Sequence, residues 1–197
     1  YYVADGGSLR YRLMDYGLLG MRSHEKFIPK DYIYNTVEIR LEVLKGIIDT
    51  DGSVRDSEIT VSSTSKRLME GCLEIVQSLG GTGKISERHT KYAYQGEKKE
   101  GRASYRLNVK MYDMVPFSSQ KHLSRYRPRV KYKNAYRRIQ SIKSTAPQVT
   151  RCITVDSENH LFLTDGFVAT HNTQMGIALS AALARKTLWI THTQDLL

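Results

Sequence analysis

Val37-Glu-Ile-Arg-Leu-Glu-Val-Leu-Lys-Gly-Ile-Ile-Asp-Thr-Asp-Gly-Ser53 decides how this chain folds. Ile39, Val43, Leu44 and Ile47 recur at helical spacing, so Val37 to Ile48 reads as a helix that turns at Asp49-Thr-Asp-Gly-Ser53. Before it, Leu9, Leu13, Tyr16 and Leu19 predict a helix over Ser8 to Leu19 with Gly20 to end it, and Ser23 to Pro29 reads as a loop. After it, Glu58 to Ser62 alternates like a strand, and Ser63 or Thr64 is placed to cap a helix that runs to Leu79. Gly80-Gly81 stops that helix. Lys84 to Tyr94 and Ser104 to Met111 read as strands joined by a polar, mobile loop, Gln95 to Arg102, and Pro116 to Arg125 reads as a third helix.

The net charge is +10 over 197 residues, which favours a polyanionic partner, most simply nucleic acid. Much of the excess lies between Lys84 and Lys143, where Lys and Arg are interleaved with Tyr92, Tyr94, Tyr105, Tyr112, Tyr126, Tyr132 and Tyr136. Cys72 and Cys152 are too few for a disulfide framework and fit a reducing compartment. No run of about eighteen apolar residues occurs, so no membrane span is expected. The chain opens at Tyr1 without a Met or signal-like segment, and a fragment of a longer protein is expected.

Leu44-Lys-Gly-Ile-Ile-Asp-Thr-Asp-Gly52 resembles the LAGLIDADG motif of homing endonucleases, and helix, hairpin, helix, hairpin, helix is the order of one LAGLIDADG half-domain. The resemblance implies that Asp51 is the metal-binding catalytic carboxylate, taking Mg²⁺ with a second Asp from outside this chain, while Asp49 caps the turn. It also implies that Lys121 polarises the attacking water and that the strands contact double-stranded DNA. Arg55, Lys84, Arg88, Lys91, Arg106 and Lys110 are the candidates, their charges reading phosphates. Gly80-Gly-Thr-Gly-Lys84 imitates a phosphate loop, but Ile85 follows the Lys and the earlier Gly is missing, so it is read as a decoy. Cys72 shares a helical face with Leu68, Ile75 and Leu79 and is expected in the core.

From Ala135 the pattern changes to short strands, Tyr136 to Ser144, Val149 to Val155, His160 to Leu163 and Phe167 to Thr170, which indicate an all-β unit. His171-Asn172-Thr173 follows. An Asn amide can attack its own main-chain carbonyl and cut the chain, and a following Thr hydroxyl can receive an acyl group. Arg151 to Asn172 resembles the C-terminal splicing segment of an intein, in which homing endonucleases are commonly nested. The resemblance makes Asn172 the cyclising residue, His171 its general acid, His160 a second assisting His and Thr173 the acceptor of the upstream acyl group. No cofactor is implied for splicing. Cys152 stays open between a first nucleophile, as in one intein class, and local assistance or packing.

Thr173 to Ala184 and Lys186 to Asp195 resemble the stretch after a Walker A lysine in superfamily 2 helicases. This implies a host ATPase interrupted in that motif, which binds ATP-Mg once spliced. The expected fold class is α+β: a LAGLIDADG half-domain (αββαββα), the C-terminal strands of a Hint splicing domain and a short αβ extein piece. The expected divisions are 1–36, the end of a first half-domain and linker; 37–130, the endonuclease half-domain; 131–172, the splicing strands; and 173–197, the extein. Splicing needs the N-terminal intein half, the full-length protein is expected to be a monomer in a bacterial, archaeal or phage-infected cytoplasm, and this piece alone is expected neither to splice nor to cut. The alternative is a non-catalytic DNA-binding module with a degenerate LAGLIDADG fold.

Overall fold

Helix α3 (Val37–Asp51) starts at Thr36, whose hydroxyl accepts the Ile39 N–H, and it buries Leu44 and Ile48 completely. In this computed structural model the described residues are 8–94, 96–128, 141, 149, 153 and 155–171, with backbone alone at 90–94 and 98. The helix runs three residues past Ile48, through Asp49 and Thr50 to Asp51, so the expected turn begins only at Gly52. Asp51 is therefore the last helical residue. Its successor must be Gly, because a Cβ on Gly52 would collide with the Ile48 carbonyl oxygen and sit 2.8 Å from Ile48 Cγ2.

β1 (Gly52–Arg55) turns through Asp56-Ser57 into β2 (Glu58–Ser63), with Arg55 paired to Glu58 and Asp56 at a φ of 52°. Asp tolerates this left-handed conformation better than most side chains. α4 (Lys66–Ser78) is capped by Ser65 rather than by Ser63 or Thr64. Ser65 is buried, its Oγ accepts the Leu68 N–H at 3.1 Å, and its hydroxyl donates to the Lys26 carbonyl, so the Ser23–Pro29 loop is stitched to the start of α4. Gly80, at a φ of 79°, ends α4 as expected.

β3 (Thr82–Tyr94) and β4 (Glu97–Lys110) form a long hairpin. The expected loop over Gln95 to Arg102 is mostly strand: Glu97 to Glu100 pair with Tyr94 to Lys91, and Gly96 closes the turn at a φ of 83°. The polar residues there belong to a two-stranded extension, so their polarity reflects exposure and not a loop. The four strands are antiparallel in the order β1-β2-β4-β3.

Period-two alternation sends Val54, Ile59, Val61, Leu107 and Val109 to one face, where they join Leu44 and Ile48 of α3 and Met69, Cys72, Ile75 and Val76 of α4. Complete burial of a side chain such as Leu44 or Ile48 contributes about 2 kcal/mol. Cys72 lies in this core, as its helical face predicts, and burial pushes its thiol up to about 12.

The third helix is shorter than expected: α5 spans only Gln120–Leu123, because Ser119 is its N-cap and Pro116 and Phe117 are buried in extended chain before it. The first helix is shorter as well. α1 (Ser8–Asp15) ends ahead of Gly17, at a φ of 66°, where the Leu18 and Leu19 N–H groups both return to the Leu13 carbonyl. The structure adds a one-turn helix, α2 (Lys30–Ile33); Ile28 before it and Ile33 at its end pack against Gly71 of α4. No helix among the described residues is long and apolar enough to cross a membrane.

The chain divides into two compact units, Tyr1–Ala135 and Tyr136–Leu197. In the second, β5 (Phe162–Thr164) pairs antiparallel with β6 (Val168–Thr170). The predicted strands at 136–144 and 149–155, and the host helix and strand from Met175, lie outside the described residues apart from isolated positions.

Candidate DNA-binding face and splice junction

In the sheet, residues directly opposite each other share a face. Lys84 stands opposite Asn108, Ser86 opposite Arg106 and Arg88 opposite Ser104; Asn108 in turn faces Thr60, and Thr60 faces Ser53. These positions alternate with Val54, Ile59, Val61, Leu107 and Val109, so they make up the face turned away from α3 and α4. Arg55, Lys84, Arg88, Arg106 and Lys110 all lie on that open face. Arg106 sits on a central strand between Ser62 and Ser86, and its Nε is buried with no hydrogen-bond partner among the described residues. A buried donor left unpaired is an unmet demand for an acceptor. The Lys91 side chain lies outside the described residues.

Asp51 is exposed at the C-terminal end of α3, and its carboxylate forms no hydrogen bond or ion pair among the described residues. Its neighbour Asp49 does not cap the turn. The Asp49 carboxylate accepts the main-chain N–H groups of Ser118 (2.9 Å) and Ser119 (3.1 Å), and Nδ1 of the buried His122 lies 3.4 Å from it. Burial alone would raise the Asp49 carboxyl, but the Ser118 and Ser119 N–H groups, the His122 ring and the Ser119 hydroxyl outweigh it and hold it below its ordinary value.

Phe117 completes the junction, meeting His122 edge-on at 5.7 Å and Tyr126 edge-on at 5.1 Å. α5 is thus tied to the end of α3. Lys121, next to His122 and exposed, is carried to the same end of α3 as Asp51, although no hydrogen bond or ion pair joins the two. The described residues hold no group of three His, Cys, Asp or Glu side chains able to bind a metal ion. Asp51 therefore offers a single carboxylate.

The domain match follows this geometry. Residues 38–131 match the LAGLIDADG-like domain family. The matched segment is similar to that domain. It begins in α3, covers the whole four-stranded sheet and includes both Asp51 and Lys121. The chain is also similar to the replicative DNA helicase DnaB of Mycobacterium intracellulare, 27% identical over 175 residues that cover 87% of this chain and 29% of that protein. The chain thus spans less than a third of that relative's length.

In the second unit, Phe162 pairs with Thr170, and the hairpin turns at Asp165-Gly166-Phe167. His160, two residues before Phe162, and His171, one residue after Thr170, therefore stand at the same open end of the hairpin. His160 Nδ1 lies 3.2 Å from the Val155 carbonyl oxygen, and the residue adopts a φ of 52°. Asn172, Thr173 and Cys152 lie outside the described residues. The Asp49–His122 junction and the arginines Arg125 and Arg127 beside β1 were missed in the sequence. For the arginines, the run Arg125-Tyr-Arg127 just after α5 was an available signal.

Proposed function

We propose that the chain is the C-terminal part of a self-splicing intein that carries a site-specific DNA endonuclease and is inserted in an ATP-dependent DNA helicase. The observation that carries this reading is the presence, in one chain, of a LAGLIDADG-like domain followed by His171-Asn172-Thr173. The helicase name of the relative supports the host, and the superfamily 2 resemblance rests on residues 173 onward.

In the splicing step, the Thr173 hydroxyl takes the upstream acyl group. The Asn172 side-chain amide then attacks its own main-chain carbonyl, breaking the bond to Thr173 and leaving a succinimide. His171 protonates the departing nitrogen. The shared hairpin end of His160 and His171 supports a second imidazole acting at the same junction.

In the nuclease, the open face of the sheet lies along double-stranded DNA and its Lys and Arg side chains meet the phosphates. The exposed, unpartnered Asp51 carboxylate at a helix C-terminus, where the dipole favours cations, suits a divalent ion such as Mg²⁺ shared with a second carboxylate from outside this chain. When bound, the metal supplies a water of lowered pKa and steadies phosphorane charge. Lys121, held at that end of α3 through Asp49 and His122, polarises the attacking water.

Two substitutions in the full-length precursor test the proposal. Asn172→Ala abolishes ligation of the host segments, and Asp51→Ala abolishes Mg²⁺-dependent cutting of an uninterrupted host site. Ligation that survives the first refutes the splicing assignment, and cutting that survives the second refutes the nuclease assignment.

A further inference from the structure

At the edge of the sheet, where β1 turns into β2, an open pocket of about 540 Å³ is lined by Ser53, Val54, Arg55, Asp56, Arg125 and Arg127. The segment after α5 forms its second wall. The Arg127 N–H donates to the Asp56 carbonyl at 2.8 Å, and Asp56 bridges Tyr126, so the chain is fastened along the end of β1. Arg127 Nη1 donates to the Ser124 and Tyr126 carbonyls, both at 2.9 Å, which holds the guanidinium in place with its other N–H groups left to donate. The guanidiniums of Arg55 and Arg125 make no hydrogen bond or ion pair among the described residues. Three arginines and one acidic residue, Asp56, thus line one recess.

We propose that this pocket is a seat for a backbone phosphodiester of duplex DNA, gripping one strand while Lys84 and Arg88 on β3 grip the other. The inference rests on the DNA-binding reading above. One transverse row of the sheet, Ser53, Thr60, Asn108 and Lys84, runs from the pocket wall to the far edge strand. Three strand intervals span roughly 14 Å, close to the roughly 12 Å width of the B-DNA major groove. The two basic sites therefore stand where the phosphates on the two walls of one groove would lie. Arginine suits the seat because its planar fork donates two parallel N–H bonds to a phosphate.

The experiment measures binding of the full chain to a mixed-sequence duplex between about 50 and 200 mM salt, as the slope of log affinity against log salt. Arg125→Ala with Arg127→Ala is expected to reduce the slope by about 1.8, since each lost phosphate contact removes about 0.9. Arg125→Lys with Arg127→Lys restores most of it. Should the loss of Arg127 unfold the domain, Arg125→Ala alone reads out a change of about 0.9.

An unchanged slope in the Arg pair, with a reduced slope in Lys84→Ala/Arg88→Ala, overturns the seat and leaves the DNA reading standing. A wild-type chain with no salt-dependent duplex binding overturns both. Loss of inorganic phosphate binding in the Arg pair, with the duplex slope intact, makes the pocket a free-anion site and overturns the proposal.

Discussion

Oδ2 of Asp49 accepts the main-chain N–H of Ser118 at 2.9 Å across a sequence separation of 69 residues. This bond, with its neighbours from Ser119 and His122, fixes where the segment after β4 lies, and hence where Lys121, Arg125 and Arg127 stand relative to the end of α3.

Asp49→Ala removes a charged acceptor from two main-chain donors and a ring nitrogen at once. The expected cost is about 2 kcal/mol, read as a lowered urea midpoint with an unchanged slope. Asp49→Asn keeps one acceptor oxygen and is expected to cost about half as much. Amide exchange should speed up first in residues 116–126.

The same carboxylate sets an acid limit. Its folded-state value is depressed below its ordinary value of 3.8. Its contribution is complete above that pH and is lost as pH falls through the lower folded-state value. An acid titration of stability should therefore fall more steeply below about pH 4 in the wild type than in Asp49→Asn. Equal steepness in the two proteins contradicts the role given to Asp49.

Gly52→Ala places a methyl group against the Ile48 carbonyl in a fully packed corner. The expected destabilisation is about 2 kcal/mol, measured by thermal or urea unfolding. Asp51 shifts with the corner, so binding of Mn²⁺ as a metal probe should weaken together with stability.

Cys72 has no exposure in the native state, and its thiol is pushed up from 9.0 to about 12. An aromatic disulfide reagent at pH 8 should leave it unmodified until denaturant is added. Because the folded-state value is raised, the neutral thiol's contribution is complete below pH 9 and is lost between 9 and about 12 as the unfolded chain ionises. Cys72→Ala should flatten that alkaline decline.

α3 and α4 were legible because their apolar residues keep helical spacing and their ends carry capping and glycine signals. β3 and β4 were legible only where they cover the core. Beyond it Glu97, Lys99, Glu100 and Arg102 are exposed, and nothing in composition separates such a strand from a loop.

The short α5 was overestimated because its boundary is set by Asp49, whose partners lie in a segment that no local pattern links to it. The basic residues were visible, but their gathering onto one face depends on the β2–β4 and β3–β4 register, which follows from pairing across the sheet. The Arg125 and Arg127 wall became apparent only from the way the chain returns to Asp56.

That register has a wider consequence. Lys84, Arg88, Arg106 and Lys110 alternate with Ile85, Leu107 and Val109 at a strict period of two. A slip of one residue between β3 and β4 would press ammonium and guanidinium groups into the helices and strand aliphatic side chains in water. The cationic surface thus proofreads the hairpin's assembly, and an insertion or deletion within either strand would disable ligand contact and folding together.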